Sequence, residues 1–199
     1  MINRRMAMDG MERGEGDGAF TGGLLRAAMG VAAMASGLAV GAQVEVWMEP
    51  VPMTLQTFAL VVGAALLGPG LGAAAAALYV ALAAMGVPVL AGWRALPGAA
   101  ILDSPSTGYL VGFVAAAALA GLARRRLAGG VLSMTLLFAA AHLIVLGLGA
   151  AALARDMGLV AALERGAAPY LLGGAVKSFA AAALVAGLRG RPAARPRTP

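Results

Sequence analysis

The chain has 199 residues, of which 61% are hydrophobic and 12% are charged, and its net charge is +6. Soluble domains are about half apolar and about a quarter charged, so this composition excludes an ordinary soluble domain and indicates several membrane spans. The absence of cysteine excludes disulfides, thiolate nucleophiles and cysteine-bound metals.

Four runs without Asp, Glu, Lys or Arg mark the membrane segments, at residues 27–44, 50–93, 104–123 and 127–154. Because one span needs about 20 mostly apolar residues, the run over 50–93 must hold two spans. A further apolar segment precedes the C-terminus. We therefore expect an all-α, polytopic membrane protein with six transmembrane helices, at about 24–43, 54–68, 71–87, 107–123, 130–153 and 169–188.

The arginines predict the orientation of these spans. The loop at 124–126 and the basic segment at 190–199 should both be cytoplasmic, because cytoplasmic loops are enriched in Lys and Arg. Six spans then place the N-terminus inside as well. We expect a disordered cytoplasmic tail over 1–22, a transmembrane domain over 23–189 and a basic cytoplasmic tail over 190–199, in a bacterial inner membrane. This clustering at span ends also explains the positive charge without a nucleic-acid partner.

Two groups of small residues could support close helix packing. Gly108 and Gly112 have the GxxxG spacing on the fourth helix, and Ala28, Ala32 and Ser36 form a stripe on the first. Small residues let helix backbones approach each other closely in membranes. The stripe could receive a helix of another subunit, although packing within the bundle is the more ordinary interpretation of both patterns.

Lys177 is the single lysine of the chain, and eleven uncharged residues separate it from Arg165 on one side and from Arg189 on the other. Counted from Pro169, it lies about 12 Å into the last helix. A charge at that depth costs at least a few kcal/mol unless it faces a cavity or a partner. Lys177 is therefore the leading candidate for contact with a ligand.

The surroundings of Lys177 favour a ligand or a neighbouring helix. Gly173 and Gly174 lie about one turn away and leave almost no side-chain volume on that face. Two alternatives remain: the side chain extends toward the membrane surface, or it pairs with a loop carboxylate such as Glu49 or Asp103.

The long loop after the third helix contains Trp93 and Arg94. This pair could close as a lid over an anionic, partly flat solute, with Arg94 as a second cation. The ordinary alternative is that Trp93 anchors the chain at the membrane surface beside a solvated arginine. Tyr109, at the start of the fourth helix, could offer a ligand its hydroxyl and its ring face.

Further polar residues occur within the apolar helices. Thr54, Gln56 and Thr57 stand at the start of the second helix and are otherwise unexplained in an apolar span. His142 is the single histidine, and we expect it to be a hydrogen-bonded packing residue.

Motifs of catalysis are missing from the sequence. It contains no H-E-x-x-H, no G-x-S-x-G and no His/Cys cluster, which argues against an enzyme and against a bound metal or other cofactor. The segment "GPGLG" lacks the Lys-Ser/Thr of a phosphate-binding loop. If the chain takes part in ATP-driven transport, the ATPase must be a separate protein.

Three segments resemble a known family. "PVPMTLQTFALVVGAALLGPGLGAAAAALYVALAAMGVPVLAG", "SPSTGYLVGF" and "PYLLGGAVK" are similar, in this order, to segments of the BioY family, the biotin-binding S components of energy-coupling factor (ECF) transporters. The resemblance covers roughly residues 24–188. It implies a six-helix subunit that captures biotin from outside and works with a transmembrane coupling protein (T component) and a pair of cytoplasmic ATPases.

The resemblance also implies roles for individual residues. The lysine of the family's G-D-x-x-K segment falls on Lys177, which would pair with the carboxylate of biotin. The small-residue stripe on the first helix would contact the coupling protein. The family's aspartate is replaced by Gly174, and Asp103 or Glu49 could substitute for it. The remaining alternatives are a related small vitamin or anion as the ligand, or a structural helix bundle without a ligand.

Overall fold

The computed structural model describes residues 2–124 and 130–189, with side chains from residue 21 onward. Over these ranges the chain is mostly helical. The helices are α1 (Ile2–Ala42), α2 (Gln56–Leu67), α3 (Pro69–Ala84), α4 (Thr107–Gly121), α5 (Gly130–Met157), α6 (Leu159–Gly166) and α7 (Leu171–Arg189), and the strands are β1 (Glu45–Val46) and β2 (Met53–Thr54).

Four helical segments of the described residues are long and apolar enough to cross a membrane, namely Thr21–Ala42, Thr107–Arg124, Gly130–Met157 and Leu159–Arg189. The helices α2 and α3 are apolar but shorter. With 12 residues, α2 reaches only about 18 Å, against a hydrocarbon core of about 30 Å. Large apolar side chains such as Leu132, Leu136 and Leu172 are exposed, as expected for a surface that faces lipid.

Helix boundaries differ from the sequence prediction at two places. The helical backbone of α1 begins at Ile2, within the segment expected to be disordered. Gly158, with φ of 82°, ends α5, and the unpredicted helix α6 follows it. The basic tail at 190–199 lies outside the described residues, and so do Arg125 and Arg126.

Small residues bring the helices into close contact. The central helix α2 packs against α1, α3, α4 and α7, while α5 packs against α4 and α7. A Cβ atom at Gly108 would lie 3.0 Å from Gly149 Cα, and one at Gly112 would lie 2.9 Å from Val145 Cα. The GxxxG spacing of α4 is thus used for packing on α5 within the bundle.

Arginines close one end of the bundle. A turn at Gly68, with φ of 93°, separates α2 from α3 and leaves carbonyl groups of the last α2 turn without helical partners. Arg124 Nη1 donates to Leu67 O (2.6 Å), and Arg189 Nη2 donates to Ala65 O. We refer to this side, where α2 meets α3, as the arginine end.

The opposite side, which we call the cap end, carries the β1–β2 hairpin and the loop over 88–106. In the hairpin Glu45 pairs with Thr54 and Val46 pairs with Met53 in antiparallel register. Gln43, just after α1, ties the loop to the bundle. Its Nε2 donates to Leu90 O (3.1 Å), and its Oε1 accepts a hydrogen bond from Trp93 N–H (3.1 Å).

Candidate functional site

A cavity lies at the cap end, beneath the hairpin and between α2, α4, α5 and α7. The volume available to the centres of water molecules is about 90 Å³, several times the 10–15 Å³ that one water requires. Aromatic and aliphatic side chains form much of the wall. The polar residues of the lining are Thr54, Gln56, Thr57, Arg94, Ser106, Tyr109, His142, Tyr170 and Lys177.

The charge of this lining is positive. Lys177 and Arg94 contribute two cations, and among the described residues neither Asp nor Glu lines the cavity. Uncompensated positive charge in a partly enclosed, apolar cleft attracts anions, because low-dielectric walls focus the field. The arrangement therefore fits a small anionic solute.

Lys177 points into the bundle. Its Nζ atom donates a hydrogen bond to Thr54 O (3.0 Å), and within the described part of the chain it forms no ion pair with a carboxylate. An ammonium group has three N–H donors, so two remain for a ligand. The other face of α7 is exposed and apolar, with Val176 and Phe179 60% and 61% exposed. The alternative pairing of Lys177 with Glu49 or Asp103 is therefore absent from the described residues.

Gln56 belongs to a chain of hydrogen bonds that joins β2, α2, α3 and the cap-end loop. Thr54 Oγ1 donates to Gln56 Oε1 (2.9 Å), Gln56 Nε2 donates to Tyr79 OH (2.6 Å), and Tyr79 OH donates to Val89 O (2.9 Å). Tyr79 is fully buried. The chain fixes the start of α2 relative to α3 and the cap-end loop, so Gln56 both lines and shapes the cavity.

Two tyrosines hold the cap end together. Tyr109 OH donates to Gly166 O (2.6 Å), and its ring rests on Gly149, where a Cβ atom would lie 2.3 Å from Tyr109 Cε1. Tyr170 OH donates to Val51 O in the hairpin loop. The hydroxyl of Tyr109, expected to face a ligand, is therefore bonded to the protein backbone, and Tyr109 offers the cavity its ring.

Three of the predicted residues lie outside the cavity lining. Trp93 is 63% exposed, which matches the surface-anchor alternative, so only Arg94 of the expected lid reaches the cavity. Gly173 packs beneath the hairpin, since a Cβ atom there would lie 2.3 Å from Met53 Sδ. Asp103 lines an outer depression instead. Of the glycine pair, Gly174 alone faces the cavity.

This outer depression, which we call the vestibule, adjoins the cavity. Its lining includes Glu49 and Asp103, and it shares Pro52, Leu90, Arg94 and Ser106 with the cavity. These four shared residues form the boundary between the two spaces. A solute from the cap side would therefore pass Arg94 before it reached Lys177.

The site contains one polar atom whose importance the sequence did not indicate. His142 lines the cavity with only 5% of its surface exposed, and its Nε2 atom is buried without a partner among the described residues. Thr57 Oγ1 is likewise buried without a partner among the described residues. The expected packing role of His142 is correct for Nδ1, which hydrogen-bonds to Phe138 O (2.9 Å). No local sequence pattern distinguishes the two ring nitrogens.

Comparison with known proteins adds to this geometry. The chain matches the family model described as the BioY family over residues 11–193. It is 36% identical over 151 residues to the probable biotin transporter BioY of Pyrococcus horikoshii, covering 76% of this chain and 88% of that protein. It is 38% identical over 109 residues to the biotin transporter BioY of Thermotoga maritima, covering 51% and 63% respectively.

A solved structure shares the fold. The S-component for biotin from an ECF-type ABC transporter superposes with a TM-score of 0.72 at 22% sequence identity. The match covers 84% of this chain and 93% of that one.

Proposed function

Because the chain belongs to the BioY family, we propose that it is the substrate-binding membrane subunit of an ECF-type vitamin transporter, and that it captures biotin. Two named biotin transporters are among its relatives, and a biotin S-component shares its fold. Its role is transport and not catalysis.

The observation that carries this proposal is the cationic cavity at the cap end. Biotin has a carboxylate on a flexible chain and a compact ureido ring system, so it needs a cation, an apolar wall and a few hydrogen-bonding groups. Lys177 supplies the cation, with two N–H donors left by its bond to Thr54 O. Arg94, at the boundary with the vestibule, supplies a second cation on the way in.

The two ends of the bundle support an orientation in the membrane. We propose six spans, with α2 and α3 as two short ones, and with both termini on the cytoplasmic side of a bacterial inner membrane. Arg124 and Arg189 at the arginine end support this orientation, because arginine-rich ends remain in the cytoplasm. The vestibule then opens outward.

The stripe on α1 supports an assembly with the coupling protein. Ala28, Ala32 and Ser36 are all exposed. Small residues on an exposed helix face permit close approach by a partner helix. We propose that the T component packs here and that a cytoplasmic ATPase pair supplies the energy.

Calorimetric titration of the detergent-purified protein tests the proposal. Biotin should bind tightly and stoichiometrically, whereas biotin whose carboxylate has been converted to a primary amide should bind at least about tenfold more weakly, as expected for loss of a charge-assisted hydrogen bond. Absence of binding at saturating biotin would refute the assignment. Equal binding of both compounds would leave a biotin-binding protein but remove the charge pairing.

A related anion could be the true substrate instead. The same titration with other small carboxylate vitamins serves as the comparison, and tighter binding of one of them would reassign the substrate while keeping the site.

A further inference from the structure

We propose that His142 Nε2 forms the polar floor of the cavity and accepts a hydrogen bond from an N–H group of the ligand, with Thr57 Oγ1 as a second polar contact. Given the proposed function, that N–H belongs to the ureido ring of biotin. His142 and Thr57 would then hold the ring end of the ligand, whereas Lys177 and Arg94 would contact its carboxylate.

The hydrogen bonds of His142 determine which ring nitrogen carries the proton. Nδ1 lies 2.9 Å from Phe138 O, a carbonyl that can only accept, so we assign the ring hydrogen to Nδ1. Ser178 Oγ, 3.0 Å from Nδ1, donates its own hydrogen to Gly174 O (2.7 Å) and can share the Nδ1 hydrogen as an acceptor. In the neutral ring Nε2 is therefore a bare acceptor.

A neutral ring is what the charges of the cavity require. The lining already holds Lys177 and Arg94, and within the described residues it holds no carboxylate that could compensate a third positive charge. A buried acceptor without a partner carries a large desolvation penalty, which a donor from the ligand would remove. Nε2 can therefore accept a hydrogen bond from an N–H group but has no hydrogen to donate to a carboxylate.

Gly174 gives the ligand access to this ring. A Cβ atom at Gly174 would lie only 3.5 Å from His142 Cδ2, so a longer side chain on α7 would stand between the imidazole and the cavity. Gly174 and His142 both line the cavity, so glycine at position 174 keeps this part of α7 free of side-chain volume beside the ring. The glycine at position 174 therefore complements the acceptor at position 142.

The proposed contacts for the two ends of the ligand lie on different helices, because His142 belongs to α5 and Lys177 to α7. On α5 the lining residues are His142, Val145 and Leu146, and His142 is the one furthest from the cap end. Lys177 Nζ reaches Thr54 O, which precedes α2 at the cap end. An extended solute with its ring on the floor would therefore direct its carboxylate toward Lys177 and the vestibule.

Thr57 complements His142 chemically. Its hydroxyl lines the same cavity, and its Oγ1 atom is buried without a partner in the described part of the chain. A hydroxyl can donate as well as accept, so it suits the carbonyl oxygen of a ureido group. An acceptor and a donor in one apolar cleft match the N–H and C=O groups of that ring.

The first experiment compares two ligands and three proteins by calorimetry. His142→Phe should bind biotin about tenfold to hundredfold more weakly than the unaltered protein, the range expected when a buried hydrogen bond loses one partner. Biotin methylated on a ureido nitrogen should lose little further affinity in this variant, because the N–H is already missing from the interaction. Thr135→Val, which removes a hydrogen bond to Val131 O elsewhere on α5, should bind like the unaltered protein.

The second experiment needs no substitution in the site. His142 is the single histidine, so a tag-free protein labelled with ¹⁵N-histidine reports one imidazole. Addition of biotin should shift the Nε2 resonance and leave the Nδ1 resonance nearly unchanged. An unshifted Nε2 signal with bound biotin, or full affinity in His142→Phe, would overturn this proposal while leaving the biotin assignment intact. No binding by the unaltered protein would instead reject the proposed function.

Discussion

The Nζ atom of Lys177 lies 3.0 Å from the carbonyl oxygen of Thr54, so the cation of α7 is held against the end of β2, two residues before α2 begins. These residues are 123 positions apart in the chain. The contact turns the ammonium group away from the exposed apolar face of α7 and toward the cavity. It also gives Lys177 one fixed partner, which orients its remaining donors.

Replacement of Lys177 by Met should weaken biotin binding by about tenfold to hundredfold, because a charge-assisted hydrogen bond is lost while the side-chain volume is nearly kept. The loss should be small for biotin amide, which has no negative charge to pair. Calorimetric titration of both ligands measures this coupling.

Two further variants control for the loss of positive charge. Arg165 is exposed and does not line the cavity, so Arg165→Met should bind biotin normally. If the carboxylate-dependent loss appears in Arg94→Met and not in Lys177→Met, the charge partner is Arg94.

Gly174→Leu should abolish measurable biotin binding, because the new side chain would occupy the space beside His142 that the ligand requires. Gly187→Leu introduces the same side chain on the same helix, at a glycine with open space around it. That variant should bind normally. Binding that survives in Gly174→Leu would mean that the ligand does not occupy this part of the cavity.

Tyr79→Phe should destabilise the protein by about 1–3 kcal/mol, because Gln56 Nε2 loses a buried acceptor and Val89 O loses a buried donor. Biotin affinity should fall as well, since Gln56 and the start of α2 form part of the wall. Thermal unfolding in detergent gives the first quantity and titration the second. An unchanged melting temperature would show that this hydrogen-bond chain contributes little.

Ala32→Leu combined with Ser36→Leu should leave folding and biotin binding intact, because both positions are exposed on α1. The larger side chains should prevent close approach of the coupling protein and so abolish uptake by the assembled transporter. Co-purification with the T component and vesicle uptake measure the two effects. Ala33→Leu, exposed on the same helix outside the stripe, is the matched control.

Much of this protein can be read from local sequence. The uncharged runs locate the apolar helices because a charge is too costly in hydrocarbon. The isolation of Lys177 indicates a cavity for the same reason, and the structure provides one beside it. The motif spacing indicates the BioY family, which the family match over residues 11–193 confirms.

Other features depend on contacts between distant segments. Gly173 and Gly174 are adjacent residues of the same type, yet Gly173 packs on Met53 and Gly174 faces the cavity. Trp93 and Arg94 are likewise adjacent, and only Arg94 lines the site. Asp103, suggested as a substitute for the missing aspartate, lies in the vestibule lining and outside the cavity.

The segments that leave water, and the single lysine that must be accommodated among them, can be predicted from composition alone, because transfer free energy depends on the composition of each segment. The packing of the helices sets which side chains share the cavity, and it leaves His142 Nε2 without a partner among the described residues. What a helical side chain faces depends on how the neighbouring helices pack, and those neighbours come from remote parts of the chain.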